Sequence, residues 1–373
     1  MKTRDAVLTY QKSEADTAVE TIDLNFKDPI SAIELEVECT NGSGGNKDNW
    51  ISDIVTKIEV VDGSNVLAAL NMFGLETLHW LKTLASPGLY LSEWASDQTR
   101  HNATLFFGRH LWDTLYALDP TVYSNPQLKI TFNKAAVRAA STTAFATGTN
   151  IMLTVVVKLM EGMSPPAQYL MDKQIDSFTS AATGEKRVDL PRDYDYRMLL
   201  LRAYQAGYET NESISNVKLT CDTDGYILLD RKTRQLDTEA RGLFGMSTFR
   251  HHLYRANNQV AKALHNKGYN VSVAPWSGAT THILGITAAS SNQFNMEIHD
   301  HDGSVVSSEH NYAMMCTGHA LHATLPIIFG TLDDPGSWFS PKPYGKFEAV
   351  LTQATASTLV EIIAEQVRPN AKA

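Results

Sequence analysis

Two stretches of this chain carry the same local signals in the same order, and that order limits its possible folds more than any composition does. In the first, Ile33, Leu35 and Val37 alternate with Glu34, Glu36 and Glu38 between Ile30 and Cys39, the period-two pattern of a strand with one face buried. Ile58 to Val61 predicts a second strand ending at Asp62-Gly63, a dipeptide that favours hairpins because both turn positions need positive φ. Val66 and Leu67 begin the return strand. Leu70, Phe73, Leu75, Leu78, Trp80, Leu81 and Leu84 then recur at helical spacing up to Pro87-Gly88. Leu105-Phe106-Phe107-Gly108 follows, then a loop through Asp119-Pro120 and Tyr123. Leu128, Ile130 and Phe132 mark another strand, and after a small-residue hairpin near Gly148 the run Ile151 to Met160 closes the block.

The second stretch repeats the plan. Tyr196 to Tyr204 and Val217 to Cys221 predict strands, Asp224-Gly225 a turn, and Tyr226 to Leu229 the return. Phe249, Leu253, Ala256, Val260 and Leu264 predict a helix that ends at Lys267-Gly268. Ile327-Ile328-Phe329-Gly330 echoes the earlier tetrapeptide; Tyr344 stands 14 residues past its glycine and Tyr123 stands 15 past the other. Strands at Phe347 to Leu351 and Thr358 to Val367 close the chain. Shared order and near-equal spacing mark an internal repeat. Gly162-Met163-Ser164-Pro165-Pro166 suits a linker, since adjacent prolines fit neither a central strand nor a helix. The expected division is therefore 1–163 and 164–373. Residues 270–322, with a hairpin at Asp302-Gly303, are an extra insertion without counterpart in the first half.

With 373 residues, 43% hydrophobic and 20% charged, the chain has enough material for two globular cores. No apolar run approaches the ~20 residues of a spanning helix, and Met1 to Asp5 lead into polar sequence without a signal-peptide core. Synthesis in a cytoplasm without secretion is the expectation. Cys39, Cys221 and Cys316 are far apart and lack metal-ligand spacing. The net charge of −9 includes no basic run, which disfavours sequence-specific nucleic-acid binding.

Each sharp site reading competes with a plainer one. His299 and His301 sit at strand spacing near His310, His319 and His322, but no third ligand is placed by spacing, and Asp300 to Gly303 reads as a polar turn. His251-His252 is expected on the surface of the second helix. Gly42 to Lys47 lacks the glycine spacing and Lys-Ser/Thr ending of a phosphate-binding loop. Glu34, Glu36 and Glu38 read as a solvated strand face. Trp80, Trp94, Trp112, Tyr90 and Tyr116 suit packing onto the sandwich or a neighbouring subunit better than a carbohydrate platform. No catalytic, cofactor-binding or metal residue is assigned.

The repeated plan resembles the double jelly-roll major capsid proteins of tailless icosahedral viruses, the lineage of the adenovirus hexon and membrane-containing bacteriophages. Val188-Asp189-Leu190-Pro191 followed by Tyr196 to Leu200 looks like the start of the second jelly roll in such proteins. The resemblance implies an all-β fold of two tandem eight-stranded jelly-roll sandwiches, each with a helix in a connecting loop. It implies a structural, non-enzymatic virion protein that forms pseudo-hexagonal homotrimers in an icosahedral shell. Its expected partners are neighbouring capsomers, penton and minor capsid proteins, with room for an internal viral membrane. The shortness of the loops points to a virus of bacteria or archaea. The rival reading is a tandem β-sandwich that binds carbohydrate or serves as a phage receptor-binding protein.

Overall fold

The computed structural model describes residues 1–141, 143–148, 151–275 and 281–371, with the side chains of 286–290 excepted. The first half contributes β1 (Lys2–Glu14), β2 (Thr17–Asp23), β3 (Ile30–Thr40), a short helix α1 (Ile51–Ile54), β4 (Val55–Asp62), β5 (Asn65–Leu70), α2 (Met72–Thr83), β6 (Gly88–Ser92), β7 (Gln98–Phe106), β8 (Pro126–Asn133), α3 (Lys134–Ala140) and β9 (Ile151–Glu161). The second begins with β10 (Gln168–Thr179), β11 (Gly184–Asp189), β12 (Asp195–Tyr204), α4 (Thr210–Ser213), β13 (Ile214–Cys221), β14 (Tyr226–Lys232) and α5 (Thr233–Phe244). It continues with β15 (Ser247–Arg255), β16 (Val260–Lys262), β17 (His265–Pro275), β18 (Ile283–Ser290), β19 (Gln293–His299), β20 (His310–Leu321), β21 (Thr324–Ile328), β22 (Phe347–Gln353) and β23 (Leu359–Pro369).

In the first half β1-β9-β3-β7 lie side by side and face β2-β8-β4-β5; in the second β10-β23-β12-β21 face β11-β22-β13-β14. Each set is a jelly roll of eight antiparallel strands in two sheets. The repeat holds at the level of single residues. Phe107 donates its amide to Ser31 at 3.0 Å, and Phe329 donates to Arg197 at 3.1 Å. Isolated bridges join Ile30 to Leu118 and Tyr196 to Phe339. A bulge interrupts β1 between Val7 and Thr9 and β10 between Gln174 and Asp176. Leu67 and Leu228 are each the extra residue of a second bulge, in β5 and β14.

Alternation of inward apolar residues with outward, less buried ones along each strand explains the two cores. Leu153, Val155 and Val157 of β9 and Ile33, Leu35 and Val37 of β3 point into the first; Val360, Ile362 and Ala364 of β23 point into the second. α2 starts with Asn71, whose side chain accepts from the Gly74 amide, and stops at Leu84 in the left-handed conformation, just before Pro87-Gly88.

The second helix is not where apolar periodicity puts it. The helix is α5, while 249–264 contains β15 and β16. β15 buries Ser247, Phe249, His251, Leu253 and Arg255, a period of two, and its neighbour His252 is buried as well. Because histidine and arginine occupy buried positions, the hydrophobic residues left in view imitate a helical stripe. α5 stays hidden in sequence because its exposed face is polar except for Leu243, and only Leu236, Ala240 and Phe244 supply apolar burial. β1, β2, β10 and α3 also lack clear sequence signals.

Between α5 and β21, strands β15 to β20 form a sheet that extends the first sandwich through parallel pairing of His251 with Leu91 and His252 with Ser92. Its own core holds Leu253, Phe294, Met296, Ile298, Tyr312 and Met314.

Candidate assembly surfaces

The seam between the halves is built from α2 and the outer face of the second sandwich. Met171, Met198, Leu200 and Ile363, which point out of their own sandwich, are buried in the core cluster of the first half. α2 comes close because residue 74 has no side chain; a Cβ there would stand 2.6 Å from Ile363 Cδ1. Buried charges cross the same seam. Lys82 of α2 donates to Asp172 at 3.2 Å and pairs with Glu365, which also receives Arg197. Asn71 donates to Glu361 at 2.7 Å, and Arg202 pairs with the other Glu361 oxygen at 2.5 Å. Burial raises the Asp172 carboxyl, and adjacent Glu365 adds to the rise. Burial alone would also raise Glu365, but Lys82 and Arg197 hold it low.

A second buried network sits where α2 and β7 meet the link between β20 and β21. Glu76 accepts from His101 Nδ1–H at 2.7 Å, from His322 Nε2–H at 2.5 Å and from Ser52 at 2.7 Å. Against the effect of burial, the two histidines hold Glu76 well below the usual carboxylate range. At the edge of the inserted sheet Arg255 donates to both oxygens of Glu93 at 2.7 and 2.8 Å, with His251 3.8 Å from one of them. Burial lowers His251 and His265 to about 3.

The histidines singled out in sequence do not converge. His299 ends β19, while His301 lies in the following turn, exposed and held by its own Asp300 at 2.9 Å. His310 meets Ser308, His319 meets Asp237 at 2.9 Å, and His322 meets Glu76. Among the described residues no three His, Cys, Asp or Glu side chains are grouped to hold a metal ion. His251 and His252, expected on a helix surface, are buried in β15. The Gly42–Gly45 loop lines an open depression of about 690 Å³ whose charged residue, Arg138, is tied to Asp16 at 3.0 Å.

Glu34, on the outer face of β3, is 3.1 Å from Lys158 and accepts from Asn102 at 2.8 Å; Glu36 and Glu38 lie 3.8 and 3.7 Å from Arg100. Of the aromatics, Trp80, Tyr116 and Tyr123 are buried within the chain, and Trp94 donates to Leu253 of the inserted sheet at 2.8 Å. Trp112 and Tyr90 remain half-buried.

Sequence reading missed Glu76, Lys82, Asp172 and Glu365. Their signal is a charge inside an apolar run: Leu75-Glu76-Thr77-Leu78, Leu170-Met171-Asp172 and Ile362-Ile363-Ala364-Glu365.

No protein-family model matches this chain, and no curated protein matches it by sequence. Solved structures do match. The major capsid protein of Sulfolobus turreted icosahedral virus superposes with a TM-score of 0.59 at 12% identity, over 98% of this chain and 97% of the other. VP54 of PBCV-1 gives 0.58 at 11% identity, over 98% and 93%. The major capsid protein P2 of bacteriophage PM2 gives 0.53 at 11% identity, over 99% and 98%. At such identities the likeness speaks for the fold, and here it agrees with the strand order and register of both halves. The chain has the double jelly-roll fold of viral major capsid proteins.

Proposed function

We propose that this protein is a non-enzymatic major capsid protein whose two jelly rolls, divided near residue 163, tile a virion shell as homotrimers with a pseudo-hexagonal outline. The carrying observation is the seam itself. α2 seats on the outer face of β10-β23-β12, yet the register-equivalent surfaces are open: the outer face of α5 in the second half and of β1-β9-β3 in the first. A chain with one free surface of each kind can join head to tail, and a closed ring of such contacts avoids open-ended filaments. Three chains, six sandwiches, make the hexagonal tile.

The open surfaces differ in chemistry from the buried seam. Where the seam uses Met171, Leu200 and Ile363, the first half has Arg4, Glu34 and Val156. A face that meets water before assembly needs this polarity. Glu34, Glu36 and Glu38 outnumber the Lys158 and Arg100 beside them, and Arg231, Lys232, Arg234 and Arg241 outnumber Glu239 on and beside α5, a difference of sign that favours correct pairing. Penton proteins, minor proteins, neighbouring capsomers and an enclosed membrane would meet this unit in a virion made in a host cytoplasm. Light scattering across micromolar concentrations, with electron microscopy of the same sample, tests the reading. Hexagonal particles with the mass of three chains are expected; a monomer throughout the range would overturn it.

A further inference from the structure

Tyr169, at the start of β10, lies wholly inside the first sandwich. Its ring meets Phe107 edge-on, centroids 6.0 Å apart, and its hydroxyl donates to the Leu67 carbonyl at 3.2 Å. The backbone follows it in: Leu170 donates to Phe107 at 2.8 Å, Ala117 donates to Gln168 at 3.3 Å, and Lys173 pairs with Ala69 in parallel register. β10 thus covers β5, which would otherwise be an outer strand.

The second half has the same seat and nothing of this chain's described residues in it. The residue-level repeat carries Leu67 to Leu228, Phe107 to Phe329, Ala117 to Trp338 and Tyr123 to Tyr344. These four line an open groove of about 420 Å³ between β14 and Phe329-Gly330. β14 and β21 are the outermost strands of their sheets. Unpaired edges beside an apolar groove invite an added strand. The strand that fills the first seat also has a counterpart. β1 shares the bulge of β10, and Lys2 opposite Glu161 matches Tyr169 opposite Arg368.

We propose that this groove receives β1 of a second copy, with Lys2, Thr3 and Arg4 where Tyr169, Leu170 and Met171 lie in the first seat. The inference rests on the head-to-tail assembly proposed above and names its anchoring contact. The groove suits a lysine. Tyr226 stacks on Tyr344 with centroids 5.5 Å apart, Phe339 on Tyr344 at 6.1 Å, and Phe329 on Phe339 at 5.7 Å. Such a wall takes an aliphatic stem along its rings and an ammonium over a ring face. The Thr3 amide would donate to the Phe329 carbonyl, as Leu170 does to Phe107.

The test uses the full chain with the photo-crosslinking residue p-benzoylphenylalanine installed at Lys2, an exposed position. Irradiation is expected to join separate chains, with the link mapping to peptides that contain Tyr226, Leu228, Phe329 or Tyr344. Separately, Leu228→Glu should weaken association at least tenfold while the far-ultraviolet melting curve stays in place. Oligomers that crosslink elsewhere or not at all, or that tolerate Leu228→Glu, would overturn the groove assignment and leave the assembly reading standing. A wild-type monomer at all concentrations would overturn both.

Discussion

Lys82 and Glu365 belong to opposite halves and pair across the seam with neither side chain exposed to solvent. Two charges removed from water are held by each other, by Asp172 and Arg197, and by the Phe106 carbonyl 3.3 Å from the Lys82 ammonium, so the pair sets the registration of α2 on β23 more than it adds net stability. Removing one member should be costly. Lys82→Met is expected to lower unfolding stability by about 3–5 kcal/mol, and Lys82→Met with Asp172→Leu to recover part of that, as read from denaturant midpoints.

Acid should open the junction of the inserted sheet before it opens the sandwiches. His251 and His265 are lowered to about 3 by burial, below the ordinary histidine value of about 6.5. Their neutral forms therefore contribute stability that is full above pH ~6.5 and declines as pH falls toward ~3. Glu76, also held low, adds a loss in the same direction at lower pH. Hydrogen exchange at pH 7 and pH 4.5 should show protection lost first in β15, β17 and β20. His265→Phe should flatten the pH dependence; an unchanged slope would remove His265 from this account.

Gly330 has a φ of 75°, and a Cβ there would lie 2.3 Å from the Ser337 carbonyl oxygen. Gly330→Ala should destabilise by more than ~1 kcal/mol, because both the left-handed backbone and the missing side chain are needed. Gly63, with φ of 61° but nothing near its Cβ position, should tolerate alanine better. Thermal melts of the two variants give the comparison.

Val156, opposite Glu34 on the open face of β9, is the first-half equivalent of the buried Ile363, which lies opposite Leu200 in the seam. Val156→Glu should raise the dissociation constant of the oligomer at least tenfold without moving the melting curve of the monomer. Val19→Glu, an exposed change on the facing sheet, should do neither. Because acidic and basic residues face each other across the proposed contact, added salt should weaken association. Sedimentation at 50 and 500 mM salt measures all three effects.

The repeat was legible in the sequence because turn chemistry and strand alternation are local. Asp62-Gly63, Asp224-Gly225, the paired Phe-Gly turns and the tyrosines at 123 and 344 can be read without knowing what touches what. The second helix was not legible, since burial of His251 and Arg255 depends on Glu93 and other partners distant in sequence. Nor was the seam. Lys82, Asp172 and Glu365 are 90 or more positions apart where they meet, and only close packing of two finished sandwiches makes a charged residue safe inside an apolar run. Local propensity thus determined the two sandwiches and their order. Long-range burial decided how they join, which faces are spent inside the chain, and which remain exposed.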